Sequence, residues 1–149
     1  MGKMNSTLYR TSIIVLTSLG LIDALYLSDM ALTGSELACS IAGLDGCNVV
    51  AQSVYSKFLG IPLALYGVIF YSLLLLAIVV SIYRISAATR RLVFLVALAG
   101  ALFSTYFMYL QFFVINALCI YCMGSALVAY ILAILTWLAT RTQTQKAPL

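Results

Sequence analysis

Histidine is absent from these 149 residues, and charge is scarce: Lys and Arg number 8, Asp and Glu 4. Without an imidazole, a His general base, a Ser–His or Cys–His nucleophile and His-ligated metal are all excluded. With charged residues at 8% of the chain, a soluble domain is excluded as well. A chain this small has a large surface-to-volume ratio, and these few charges cannot cover it. The net charge of +4 does not mark a nucleic-acid binder, because the basic residues sit singly beside apolar runs. There is no internal repeat and no low-complexity segment. The first apolar run is followed by no small-residue cleavage site and is interrupted by Asp23, so it reads as a retained span and not a signal peptide. A lipoprotein site at Cys39 fails too, because Glu36 stands where an apolar residue is needed.

What the chain does have is hydrophobic residues, 64% of the total. A membrane crossing needs about 20 of them in succession. One run covers 11–32, interrupted by Asp23 and Asp29, and a second covers 61–83 without a charge. From Leu92 to Thr140 there is again no charge. That is about 49 residues, or roughly 73 Å of helix, too long for one crossing of a core about 30 Å thick. Two helices with a tight turn must share it, and Gln111 and Asn116 bracket the turn. We read them as 92–114 and 117–139. The expected fold is all-α: one domain over 1–149, a four-transmembrane-helix bundle. The polar tail after Thr140 is expected to be unstructured.

Charge orients the spans. Lys3 and Arg10 precede the first, Arg84, Arg90 and Arg91 separate the second and third, and Arg141 and Lys146 follow the fourth. Four crossings put these on one side, the cytoplasm, together with both termini. The loop 33–60 lies outside, with Glu36 and Asp45 against a lone Lys57. The protein is thus expected in the cell membrane, multi-pass.

All four cysteines then fall on the extracytoplasmic side, where disulfides persist. Cys39 and Cys47 occupy the outer loop, and Cys119 and Cys122 begin the fourth span. Cys119-Ile120-Tyr121-Cys122 is a CxxC motif. Residues three apart share a helix face, and a helix N-terminus favours the thiolate that carries out disulfide exchange. A redox relay is the reading this arrangement favours. Two structural disulfides would also pair the cysteines, in a non-enzymatic tetraspan protein. A zinc or iron–sulfur site needs four converging thiolates at short spacing, which the long gap from Cys39 to Cys47 does not offer. Inert cysteines in lipid are the blandest alternative.

Several motifs in order resemble the vitamin K epoxide reductase family, and in particular its prokaryotic members. They are Cys39 and Cys47, then Ser53; Phe58-Leu59-Gly60-Ile61-Pro62 running on to Tyr66-Gly67; and Phe113-Val114-Ile115 leading to the CxxC. Gly20-Leu21-Ile22-Asp23-Ala24-Leu25-Tyr26-Leu27 is similar to the bacterial branch. The resemblance covers about 11–138. It implies a four-helix bundle around a quinone, of menaquinone, ubiquinone or phylloquinone type. Cys122 would face the quinone and Cys119 would be its disulfide partner. Cys47 would attack that disulfide, and Cys39 would take electrons from a thioredoxin-like (DsbA-like) protein outside the cytoplasm. Many relatives fuse such a domain; here the partner is expected to be a separate protein. Ser53 would cap the quinone pocket. Vertebrate members carry an asparagine and a tyrosine where this chain has Leu63 and Ala126, so a quinone is implied as electron sink instead of vitamin K epoxide. Ile120 replaces a proline common in bacterial relatives, which implies an altered potential.

Other residues carry weaker signals. Apolar and polar residues divide over 48–58 as on a short interfacial helix, with Ser53 on its polar side; without the resemblance Ser53 reads as a solvated serine. Asp23 is ionisable inside a span and is a candidate proton relay, or a bundle hydrogen-bonder. Ala97, Gly100, Ala101 and Ser104 form a small-residue stripe for close packing. Tyr106, Tyr109, Phe112, Phe113 and Tyr121 read as an aromatic belt.

Overall fold

The structure is a computed structural model and describes residues 6–39, 46–83 and 86–144. Lys3, Asp45, Arg84 and Lys146 lie outside the described residues. Four long helices dominate: α1 (Ser6–Thr33), α3 (Leu63–Tyr83), α4 (Ala87–Tyr109) and α5 (Ile120–Thr144). They form four stretches long and apolar enough to cross a membrane: Thr7–Thr33, Leu63–Tyr83, Ala87–Ile115, which runs past the end of α4, and Ile120–Arg141. The chain is a multi-pass membrane protein.

Its packing shows which solvent it is built for. Leu102, Ile22 and Leu76 are 65%, 62% and 60% exposed, a surface water would not tolerate but lipid does. Inside, Leu74, Ile78 and Leu132 are fully buried among Ala24, Ala97, Ala101 and Ala133. Small residues bring helix backbones together, since lipid gives no hydrophobic drive for helix association. A Cβ at Gly20 would run into the Tyr71 ring, and one at Gly100 into the Phe70 ring. The stripe in α4 is thus a packing surface. Two buried threonine hydroxyls are satisfied within their own helix: Thr17 donates to the Ile13 carbonyl and Thr136 to that of Leu132, both at 2.7 Å.

Neighbouring helices run antiparallel, so the ends near Thr33, Leu63, Ile115 and Ile120 gather at one end of the bundle. There the loop folds into α2 (Cys47–Gln52), a 3-10 turn (Val54–Ser56) and a hairpin of β1 (Lys57–Phe58) and β2 (Ile61–Pro62), with Lys57 opposite Pro62. Of the helix expected over 48–58, the structure forms only a short one, Cys47–Gln52. Ser53 is extended (φ −65°, ψ 155°), and both its N–H and its hydroxyl bond to the Val50 carbonyl. That local bond competes with helix continuation. The hairpin turns on Leu59 and Gly60, both at positive φ (52° and 80°), the handedness that two-residue hairpin turns favour.

The tight turn between the last two spans begins with π-helical winding at Leu110–Ile115 and reverses at Asn116. Asn116 is left-handed (φ 54°, ψ 36°), a conformation asparagine tolerates better than most residues. At the chain's other end α5 continues to Thr144, past the point where order was expected to stop, and Arg141 stacks 4.0 Å over Trp137.

Candidate functional site

Main-chain bonds bring the two cysteine pairs together. The Gly46 N–H donates to the Leu118 carbonyl at 3.1 Å, placing the residue before Cys47 beside the residue before Cys119. Cys47 and Cys119 are 0% and 1% exposed and share one cluster with Leu37 and Val50, against which Cys39 and Cys122 also pack. Cys39 and Cys47 are joined in a disulfide with Cα atoms 6.1 Å apart, while Cys119 and Cys122 are free thiols.

Three side chains hold this arrangement, and sequence reasoning assigned none of them that task. Asn48 Oδ1 accepts the Leu37 N–H at 2.8 Å and its Nδ2 donates to the Leu37 carbonyl, clamping the strand that leads to Cys39. Tyr121, read as part of an aromatic belt, turns inward instead. Its hydroxyl donates to the Ala38 carbonyl at 2.9 Å and its ring meets Tyr26 at 5.1 Å. Gln111, read only as a turn marker, is fully buried, and its Oε1 accepts the Cys119 N–H at 2.9 Å. The only sequence signal for Gln111 was an amide in an otherwise apolar stretch. The remaining belt residues Tyr106, Tyr109, Phe112 and Phe113 are exposed, as a belt requires.

The CxxC spacing does what a helix start allows. Cys119 sits one residue ahead of α5, and its Sγ accepts the Cys122 N–H at 3.3 Å. The thiol thus takes the place of an N-cap oxygen, and the helix N-terminus favours negative charge on it. A hydrogen bond from the Cys122 thiol, aided by the N–H groups of Cys122 and Tyr121, lowers the Cys119 pKa against the opposing effect of burial. Cys119 is the readier thiolate of a pair made for exchange.

A cavity of about 1130 Å³ opens beside the pair. Cys119 and Cys122 lie on its wall, with Asp23, Ser53, Leu63 and Ala126. Asp23 Oδ2 is buried there without a hydrogen-bond partner in the protein. Ser53 is at the joint between α2 and the 3-10 turn, its donor taken by Val50 and its lone pairs left as acceptors. Phe103 and Tyr106, both half or more exposed on α4, extend the lining toward the lipid side. The volume is at the upper end for a small-molecule pocket. A flat apolar ring with a lipid tail fits such a space, with a thiol on one wall and an unpartnered carboxylate on another.

No curated protein matches the chain. A model of the Vitamin K epoxide reductase family matches residues 11–137, a stretch that crosses all four long helices and includes both cysteine pairs. Two cysteine pairs packed together at one end of a four-helix membrane bundle, and that match over most of the length, place the chain in the vitamin K epoxide reductase family, as a membrane oxidoreductase whose redox function uses cysteines.

Proposed function

We propose that the protein passes electrons from a separate thioredoxin-like dithiol, through Cys39–Cys47 and then Cys119–Cys122, to a quinone in the cavity, and so supports disulfide formation. The observation that carries this reading is the continuity of the site. Half-buried Cys39 leads to buried Cys47, Cys47 packs with Cys119, and Cys122 lines a cavity that reaches the lipid face.

Each exchange is a balanced two-electron step. A partner thiolate attacks Cys39 Sγ, the Cys39–Cys47 bond breaks, and the partner leaves as a disulfide. The Cys47 thiolate then attacks Cys119 Sγ of the inner disulfide, and Cys122 leaves as thiolate. Attack of Cys39 on Cys47 restores the outer disulfide and releases Cys119. A quinone held in the cavity beside Cys122 would supply the acceptor for the two electrons and two protons that the inner dithiol gives up as its disulfide re-forms. Cys122 faces the cavity for that transfer, Ser53 offers acceptor lone pairs at the capping end, and Asp23 holds a proton within the same space.

Charge supports the side. Arg10, Arg90, Arg91 and Arg141 lie at the bundle end opposite the cysteines. By the positive-inside rule that end and both termini are cytoplasmic and the cysteines extracytoplasmic, in the cell membrane. The test uses purified protein in detergent, a ubiquinone or menaquinone analogue and a reduced thioredoxin-like protein, with quinone absorbance followed over time. Thiol-dependent loss of quinone that disappears in Cys122→Ala supports the relay. No loss, or equal loss in that variant, refutes it and leaves a tetraspan protein with structural cysteines.

A further inference from the structure

We propose that Gln111 is the positioning residue for Cys119: its buried amide fixes the Cys119 main chain, and so sets the rate at which Cys119 exchanges with Cys47. The inference rests on the thiol-exchange reading above and assigns it a residue that touches neither partner nor cavity ligand.

Gln111 controls the turn at both ends. Its carbonyl accepts the N–H groups of Asn116 and, at 3.2 Å, Ala117, closing the π-helical winding. Its side chain reaches onward to the Cys119 N–H at 2.9 Å. That N–H belongs to the start of α5, where helix geometry supplies no carbonyl partner, and burial keeps water away. A neighbouring residue cannot easily serve as cap here, because Cys119's own side chain already accepts from Cys122. The cap is supplied from eight positions earlier in the chain.

The two bonds at Cys119 differ in how they depend on redox state. The Cys122 N–H bonds to the sulfur, so it is strongest to a thiolate and weakens once Cys119 enters a disulfide. The Gln111 bond goes to the main chain and is available in both states. It therefore holds Cys119 while Cys47 bonds to its sulfur, the Cys119–Cys122 bond breaks, and Cys122 leaves as a thiolate that takes up a proton. A fully buried glutamine whose Nε2 has no partner is a costly choice in a spanning segment. π-Helical turns are likewise frequent at functional sites. A purely structural turn needs neither the length of this side chain nor its buried amide.

The experiment measures the Cys119–Cys122 equilibrium against reduced and oxidised glutathione in detergent without quinone, in a Cys39→Ser/Cys47→Ser background. In parallel, the rate of Cys47–Cys119 mixed-disulfide formation is read by mass tagging in a Cys39→Ser/Cys122→Ser background. Gln111→Met keeps the volume and removes the bond. We expect its exchange to slow about tenfold, while its equilibrium stays within about twofold of the parent, because the lost bond is available to dithiol and disulfide alike. Gln111→Asn, one methylene too short to reach Cys119, should match Met and carries the test if Met does not fold. Gln111→Glu, protonated when buried, keeps the acceptor oxygen and should restore most of the rate. Met and Asn variants that exchange at the parent rate overturn the inference, as does a Glu variant as slow as Met. None of these outcomes depends on quinone turnover, so a wild type that fails to reduce quinone defeats the proposed function alone.

Discussion

Replacing Gly46 by alanine should uncouple the two cysteine pairs while leaving the bundle intact. Gly46 has φ −77° and ψ 8°, a conformation alanine adopts without strain, so any effect comes from space. An added Cβ would lie 2.8 Å from both the Ala117 Cβ and the Leu118 nitrogen, and 3.0 Å from the Leu118 oxygen. Carbon atoms rest about 3.5–4.0 Å apart, so the two chains must separate by roughly 0.7 Å or more. Two of the three obstructing atoms are backbone and cannot rotate aside. The Gly46 N–H to Leu118 bond, now 3.1 Å, would then pass out of bonding range, a loss of about 0.5–1.5 kcal/mol.

The consequence for exchange is larger than for stability. Displacing a reacting group by about 1 Å can slow a reaction about 100-fold, so Cys47–Cys119 disulfide formation should slow roughly 10- to 100-fold. The assay uses a Cys39→Ser/Cys122→Ser protein, in which that bond is the stable product, with oxidised glutathione as oxidant and maleimide mass tags as readout. Gly124→Ala is the control, because nothing lies within 4 Å of a Cβ there. A Gly46→Ala rate within about twofold of the control would refute the claim that this main-chain contact sets the approach.

Three further outcomes follow from neighbouring contacts. Gly20→Ala drives a methyl into the Tyr71 ring and should cost about 1–3 kcal/mol by overpacking, read as a lower melting temperature in detergent, while Gly124→Ala should be neutral or stabilising. Asn48→Ala leaves the Leu37 N–H without its acceptor, and amide exchange over 34–39 should quicken about tenfold, equivalent to about 1.4 kcal/mol. Asp23→Asn keeps the shape of the cavity wall but removes the proposed proton carrier. Quinone reduction should fall at least about tenfold while Cys47–Cys119 exchange stays at the wild-type rate.

The class of the fold was legible because lipid is a simple solvent: apolar length, one charge-free stretch too long for a single crossing, and basic residues at the ends suffice to indicate four helices. Local chemistry that overrides a pattern was not legible. The apolar face over 48–58 continues past Gln52, yet Ser53 bonds back to Val50 and ends the helix there. The hairpin reverses at Leu59-Gly60, where a leucine at positive φ gives no advance sign of a turn. The cysteine pairs could be found from their spacing and their place at the ends of the apolar runs. What holds them could not, because Gly46 to Leu118, Tyr121 to Ala38 and Asn48 to Leu37 join separate segments, and each partner is a main-chain atom that every residue type possesses.

A relay of this kind must serve two solvents without letting them short-circuit. One end has to meet a soluble protein and the other a molecule dissolved in lipid, and any small thiol that reached the middle would drain the inner pair. Burial along the route answers that need: Cys39 is half-buried, Cys47 and Cys119 are 0% and 1% exposed, and Cys122 faces the cavity. The order has a measurable consequence in the fully reduced protein. The Cys119 pKa is lowered by its hydrogen bonds to Cys122 and Tyr121, so its intrinsic reactivity favours labelling. Access opposes this, because a reagent in water can reach Cys119 only after the outer loop opens. With a charged, membrane-impermeant alkylating agent, Cys39 should therefore be modified at least about tenfold faster than Cys119, and Gly46→Ala should narrow that gap by loosening the cover. If Cys119 in the wild-type protein reacts as fast as Cys39, burial does not protect the centre of the route, and the soluble partner has no need to enter through Cys39.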